Sequence, residues 1–255
     1  MYFDSHAHYD DSRFDDDRDQ ALLSLAENGV SNIINIGADL ESSKATVALA
    51  DKYDFVYGAV GVHPHDAKTL DENVLSEIGR LSEHSKVVAI GEIGLDYYYD
   101  NSPRDIQRYW FERQMNLAYD LNLPVIIHSR DTTEDTIKIC KENKIHGGVI
   151  HCFSGSVETA KIFLDLGYYI SFAGPVTFKN AKALPDVAKI VPEDRLLIET
   201  DSPYMAPEPH RGKRNCSVYV RHVCEKIAEL RGVSAEHMAK VTADNAKRLF
   251  NIQRG

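Results

Sequence analysis

The 255-residue sequence predicts a (β/α)8 TIM barrel, and three observations carry that reading. Short runs rich in Val, Ile, Leu and Tyr alternate with longer segments whose apolar residues recur every three or four positions, the signature of strands followed by amphipathic helices. About eight such pairs follow one another without a gap, which favours a closed parallel barrel over an open sheet. The length matches the roughly 250 residues that one such barrel uses.

Taken in order, strands are expected at 1–6, 32–37, 55–62, 87–91, 124–128, 148–151, 168–172 and 195–200. Each closes on or near Gly, His, Ser or Asp. Helices are expected at 17–28, 41–52, 71–84, 104–121, 133–143, 157–166, 180–191 and 218–231. Gly29 stops the first helix and Pro103 precedes the fourth, as helix boundaries require. A further amphipathic stretch, 235–250, supplies an extra C-terminal helix on the outside. No linker, repeat or composition shift divides the chain, so 1–255 reads as a single domain.

The hydrophobic fraction of 43% is enough to bury a core. A net charge of −10 argues against a protein that coats nucleic acid electrostatically, though not against an enzyme that meets one strand end at a metal centre. No apolar run approaches the roughly 20 residues that span a bilayer, and the N-terminal MYFDSHAHYDD lacks a basic start and an apolar core. The cysteines at 140, 152, 216 and 224 form no C-x-x-C pair. A soluble cytoplasmic protein, a monomer or small homo-oligomer, is expected, without disulfides and without membrane contact.

Histidines and acids gather at the carboxyl ends of the expected strands, the face where barrels of this type place their chemistry. The first strand ends in His6-Ala7-His8, whose spacing of two puts both imidazoles on one side of an extended chain. Glu92 follows an apolar run and lies between Gly91 and Ile93-Gly94, where an unpaired carboxylate is costly. The fifth and sixth strands end at His128 and His151. Asp201 follows the eighth and, once the barrel closes, reaches toward the first. Four imidazoles and two carboxylates exceed one tetrahedral site and suit two divalent cations sharing a bridge. Such N/O ligands suit Zn, Mn, Fe, Co or Ni, and Mg less well.

Other residues on the same rim are candidates for substrate contact. His63 and His65, in G-V-H-P-H, are placed to bind substrate oxygens or to donate a proton. Arg130 lies two residues after His128, and the segment 209–215 carries Arg211, Lys213 and Arg214, a candidate phosphate-binding cluster. Tyr97, with Tyr98 and Tyr99, is placed to stack a base or to wall the rim. Asp15-Asp16-Asp17 reads as the acidic first turn of a helix.

The motifs D-S-H-A-H, G-V-H-P-H, G-E-I-G-L-D-Y-Y, I-I-H-S-R, H-C-F-S-G, E-T-D-S-P-Y and P-H-R-G-K-R-N, with a late A-D-N-A-K-R-L-F, together resemble the TatD family of metal-dependent deoxyribonucleases over nearly the whole chain. The resemblance implies an amidohydrolase-like barrel that hydrolyses phosphodiesters from the 3′ end of single-stranded DNA, or RNA, using metal-activated water. It implies one metal on His6, His8, Glu92 and Asp201 and a second on Glu92, His128 and His151, with Glu92 bridging. On the positions above, Asp201, Glu92 and His63 are expected to form the catalytic set, with His63, His65, Arg130, Arg211, Arg214 and Tyr97 on the substrate. One departure is visible: after R-G-K-R-N the family usually places a proline within two residues, where this chain has Cys216-Ser217-Val218. Two other readings use the same residues: an ester hydrolase acting on D-aminoacyl-tRNA, and a metal-binding protein without catalysis.

Overall fold

The computed structural model describes residues 1–252. Eight strands, β1 (Tyr2–Ala7), β2 (Val30–Ile36), β3 (Val56–Val60), β4 (Val87–Asp96), β5 (Val125–Arg130), β6 (Gly148–Ile150), β7 (Tyr169–Phe172) and β8 (Leu196–Ile198), pair in parallel in chain order. The loop after β8 meets the end of β1. The Asp201 N–H donates to the His6 carbonyl at 2.9 Å and the His8 N–H donates to the Ser202 carbonyl at 2.7 Å. The barrel expected from the sequence is therefore present, nearly closed, with its seam at the site.

Between the strands run α1 (Arg18–Leu23), α2 (Leu40–Lys52), α3 (Glu72–Leu81), α4 (Arg104–Asp120), α5 (Thr133–Glu142), α6 (Val157–Asp165) and α7 (Leu184–Ile190); α8 (Val220–Arg231) and α9 (Ala235–Leu249) follow β8. Side-chain caps start several of them. Asp39 closes a reciprocal box with Ser42 at α2, and Asp71 accepts from the N–H groups of Asn73 and Val74 at α3. Two helices are shorter than the periodicity suggests. The first stops at Leu23 and continues as a separate 3-10 turn, Ala26–Asn28, ending on left-handed Gly29. The seventh begins at Leu184 rather than 180, because Pro185 has no N–H to give and is tolerated only in a first turn. Asp17 is the cap residue of α1, at the acidic turn foreseen there.

Two apolar clusters hold the fold. The larger lies between strands and helices. The smaller collects Phe3, Ile34, Ala59, Ala89, Ile126, Val149, Tyr169 and Leu197, contributed by each of the eight strands, and Phe250 and Ile252 beyond α9 close it. Strand side chains alternate, so positions two apart share a face. Two residues beyond Ile126, Val149 and Leu197 stand His128, His151 and Glu199. The apolar stack at one end of the barrel thus continues into polar groups at the other.

β1 and β4 depart from that alternation. Register shifts fall between Asp4 and Ala7 on β1 and between Ile90 and Ile93 on β4, bracketing His6 and Glu92. An irregularity of this kind re-aims a side chain. Both residues sit three positions beyond a member of the apolar stack, Phe3 and Ala89, yet both are buried among the site residues. β4 also runs to Asp96, five residues past its expected end, so Glu92 lies inside a strand and not in a turn. Gly94 makes that pairing possible: its φ is +137° and a Cβ there would stand 2.0 Å from the His128 carbonyl oxygen.

Candidate metal centre

Glu92 is the hub. It is 3% exposed, and its two oxygens face opposite pairs of imidazoles. Oε2 lies 3.3 Å from His6 Nε2 and 3.7 Å from His8 Nε2, while Oε1 lies 2.8 Å from His128 Nδ1 and 2.7 Å from His151 Nε2. Asp201 Oδ1 joins the first pair, 3.7 Å from His6 Nε2 and 3.5 Å from His8 Nε2. Within each pair the nitrogens nearly touch: 3.1 Å between His6 and His8, 3.3 Å between His128 and His151.

For three of these rings the far side settles which nitrogen carries the proton. His8 Nδ1 faces the Ile36 carbonyl at 3.0 Å, His151 Nδ1 faces Glu199 Oε1 at 3.2 Å, and His128 Nε2 faces Asp96 Oδ2 at 3.1 Å. Those partners only accept, so these ring atoms donate. In the neutral rings the remaining lone pairs then point at the Glu92 carboxylate and at one another. Such crowding is repulsive unless protons or cations lie between, and the mixed nitrogen and carboxylate donors fit divalent ions. Two groups drawn from these residues, His6–His8–Glu92 and His63–Glu92–His128, have ligand atoms within 4.8 Å of one another.

The electrostatics agree. Burial opposes the charge on Glu92, but the surrounding imidazoles outweigh it and hold the carboxyl well below its ordinary range. Burial likewise opposes charge on His8, yet Asp201 and Glu92 lift it to about 9. His151 is raised well above the usual imidazole value: burial works against it, but the charge of Glu92 and the hydrogen bond to Glu199 prevail. Four imidazoles drawn up against one carboxylate is the state of a site that attracts positive charge.

His63 differs from the other rings. Its Nδ1 accepts the His65 N–H at 3.1 Å, so Nε2 carries the hydrogen and points toward Glu92 Oε1 at 3.5 Å. Burial lowers its basicity well below the usual value, which keeps it a neutral donor. His65 Nε2 lies 3.0 Å from Asp96 Oδ2. The cavity over these groups has a volume of about 990 Å³, and His8, His63, His65, Glu92, His128, His151, Asp201 and Arg130 all line it.

Three other candidates stand elsewhere. Arg214 pairs with Asp17 at 2.6 Å and lies over Phe14, Tyr97 donates its hydroxyl to Asp135 at 2.6 Å, and Arg211 lies over Phe178; none lines the cavity. An adjacent acid neutralised Arg214, a contact that a run of basic residues does not reveal. The loop that departs from the family pattern is held by Asn215, whose buried amide donates to the carbonyls of Thr200 and Tyr204.

The sequence reading passed over three acids. Glu199 accepts from His151 Nδ1 and from the Cys152 N–H at 2.7 Å, and its other oxygen, like His6 Nδ1, is buried without a hydrogen-bond partner among the described residues. Asp96 accepts from His65 and His128 and from the N–H groups of Tyr98 and Tyr99; burial opposes its charge, but these bonds hold the carboxyl far below its usual range. Asp4 accepts from the His6 and Thr200 N–H groups and the Thr200 hydroxyl, tying β1 to the loop after β8, while burial raises its carboxyl to about 7. Strand parity would have found Glu199, two positions beyond buried Leu197.

A nearly closed parallel barrel, with imidazoles and carboxylates grouped around a shared glutamate at one mouth, defines the class: a barrel metallohydrolase. The model of the TatD related DNase family matches residues 3–251. The chain is 48% identical over 254 residues, 99% of its length and 100% of the relative's, to YabD of Bacillus subtilis (strain 168), named as an uncharacterized metal-dependent hydrolase. It is 35% identical over 249 residues, covering 94% and 95% of the two chains, to a protein of Rahnella sp. (strain Y9602) named 3′-5′ ssDNA/RNA exonuclease TatD. The crystal structure of YJJV, a TatD homolog from Escherichia coli K12, matches with a TM-score of 0.93 at 34% identity, covering 99% of this chain and 98% of that one. This chain belongs to the TatD family of metal-dependent hydrolases.

Proposed function

We propose that the chain hydrolyses phosphodiester bonds at the 3′ end of single-stranded DNA or RNA, using two divalent cations. The observation that carries the reading is the division of Glu92 between two imidazole pairs. In this reading His6, His8 and Asp201 would hold one cation and His128 and His151 the other, with Glu92 shared between them. A relative's name, 3′-5′ ssDNA/RNA exonuclease, supports the substrate class.

When bound, the cations lower the pKa of water and offset negative charge on the phosphoryl group. The chain's own groups do the rest. Asp201, buried but held ionised against its burial by hydrogen bonding to His8 and the nearby imidazoles, orients the attacking water and accepts its proton. Neutral His63 donates Nε2–H to a phosphoryl oxygen, where a neutral donor neither repels the cations nor gives up its proton. Away from the scissile phosphate, Arg130 and His65 meet the strand on the rim of the cavity, and Arg211 meets it beyond.

The test is turnover of 3′-labelled single-stranded DNA by protein purified without added metal, assayed for metal content and then reconstituted. Two equivalents of metal, with activity lost in both Glu92→Ala and Asp201→Ala, are expected. Near-wild-type turnover in both variants at saturating metal sinks the proposal, and hydrolysis of D-aminoacyl-tRNA without action on DNA replaces it with the ester-hydrolase reading.

A further inference from the structure

Among the described residues seven arginines lie over aromatic rings, and their partners separate them. Arg13, Arg104, Arg113, Arg195 and Arg214 each pair with a carboxylate, those of Asp11, Asp100, Glu72, Asp194 and Asp17. Among the described residues, Arg130 and Arg211 have no acidic partner within salt-bridge reach. Of these two only Arg130 lines the cavity, and among the described residues it is the one lysine or arginine that does. A half-buried guanidinium with no carboxylate, in a protein of net charge −10, has donors to spare for an incoming anion.

Its surroundings are shaped for a nucleotide. The Arg130 guanidinium stands 4.0 Å from the centre of the Tyr98 ring and 4.9 Å from that of Tyr99. The two tyrosines meet edge to face, 4.9 Å apart, and are 59% and 54% exposed. Their backbone N–H groups are both held by Asp96 Oδ1, whose other oxygen accepts from His128. One buried carboxylate thus fixes this shelf to a residue of the metal centre. Around the rest of the mouth the loops after β1, β2 and β3 line the cavity with Asp10, Asp11, Asp39 and Asp66. A polyanion leaving the centre is repelled on that side and attracted on the other.

We propose that Arg130, Tyr98 and Tyr99 form a nucleotide subsite beside the metal centre, with Arg130 binding a non-scissile phosphate and the exposed tyrosine rings stacking one base of the single strand. This rests on the nucleic-acid reading above and adds the path of the strand: over the loops after β4 and β5, away from the acidic loops. Planar guanidinium matches phosphate through paired N–H donors, and a base stacks on an exposed tyrosine whatever its sequence.

The test compares two substrates and one binding measurement on the metal-loaded protein. Bis(4-nitrophenyl) phosphate has a scissile diester but no neighbouring phosphate or base; an oligo-dT has both. For Arg130→Gln, kcat/KM on oligo-dT is expected to fall about tenfold more than on the small diester, through KM, as loss of one charged contact implies. Arg130→Lys recovers part of it. Tyr98→Ala and Tyr99→Ala are expected to lose several-fold on the same ratio. Replacing the flanking phosphate by an uncharged methylphosphonate should cost the wild type as much and Arg130→Gln almost nothing. Binding of fluorescent oligo-dT blocked by a terminal phosphorothioate is followed by anisotropy against salt. Arg130→Gln should flatten the slope of log affinity on log salt by about 0.7, one phosphate on a single strand. Equal losses on both substrates, or an unchanged salt slope, overturn the subsite. A wild type that binds the strand through Arg130 but does not cut it sinks the nuclease reading and leaves the subsite standing.

Discussion

The two ends of the barrel use the same strands in opposite ways. At the amino-terminal end Phe3, Ala89, Ile126, Val149 and Leu197 stack under Phe250, dry and satisfied by contact alone. At the carboxyl-terminal end, two or three residues further along the same strands, stand His6, His128, His151, Glu199 and Glu92. Here buried polar atoms crowd one another, and His6 Nδ1 and a Glu199 oxygen lack hydrogen-bond partners among the described residues. One end supplies stability and the other spends it on binding. Sites assembled this way are where local rules of burial are broken.

The sharpest way to separate the ends is to break each in turn. At the polar mouth, Glu92→Gln should lower hydrolysis by ~10³-fold or more, with a smaller loss in urea unfolding of the metal-free protein than at the apolar end, because the side chain keeps its volume and the facing imidazoles can shed their protons. At the apolar end, Phe250→Ala should cost about 3–5 kcal/mol in urea unfolding, with kcat/KM per folded molecule within about twofold of wild type. A large activity loss in the second variant, or a large stability loss in the first, would erase the distinction.

Two further experiments refine it. Glu199→Ala is expected to weaken metal binding about 10–100-fold by calorimetric titration, because His151 loses the acceptor that fixes its ring; Glu199→Gln, which keeps an acceptor oxygen, should recover most of that affinity. Unchanged metal affinity in the alanine variant would make Glu199 a packing residue only. The smallest effect concerns Asp11 on the rim, whose carboxyl the Arg13 hydrogen bond holds below its ordinary value of 3.8, against a smaller contribution from burial. The folded state therefore binds the proton more weakly than the unfolded one. The stabilisation is complete above pH 3.8 and is lost as pH falls below it. Arg13 is 46% exposed, so solvent screening limits Asp11→Asn to ~0.5–1 kcal/mol at pH 7, a difference from wild type that should vanish in acid unfolding curves.

Much of this was legible in the chain. Alternating strand and helix patterns located the eight units, and a histidine or acid at a strand end marked His6, His8, His128, His151 and Asp201, which the structure brings together around Glu92. Less legible were residues whose role depends on a distant partner. Arg214 and Tyr97 looked available until Asp17 and Asp135 were found against them. Arg130 was one candidate among three arginines; that it lines the cavity with no acid against it, among the described residues, only the structure showed. Glu199 and Asp96 carry no local mark of their hydrogen bonds to histidines 48 and 32 residues away.

By itself the sequence determined the period of each element, the side of the barrel that holds the polar groups and the identity of the histidines and acids, because those depend on spacing along one chain. Only the tertiary structure decided which lone pairs face which carboxylate, since the shifts of register in β1 and β4 that turn His6 and Glu92 inward are set by pairing with neighbouring strands. Proton placement on His8, His128 and His151 followed from the same source: a carbonyl or carboxylate brought to the far nitrogen by another part of the fold.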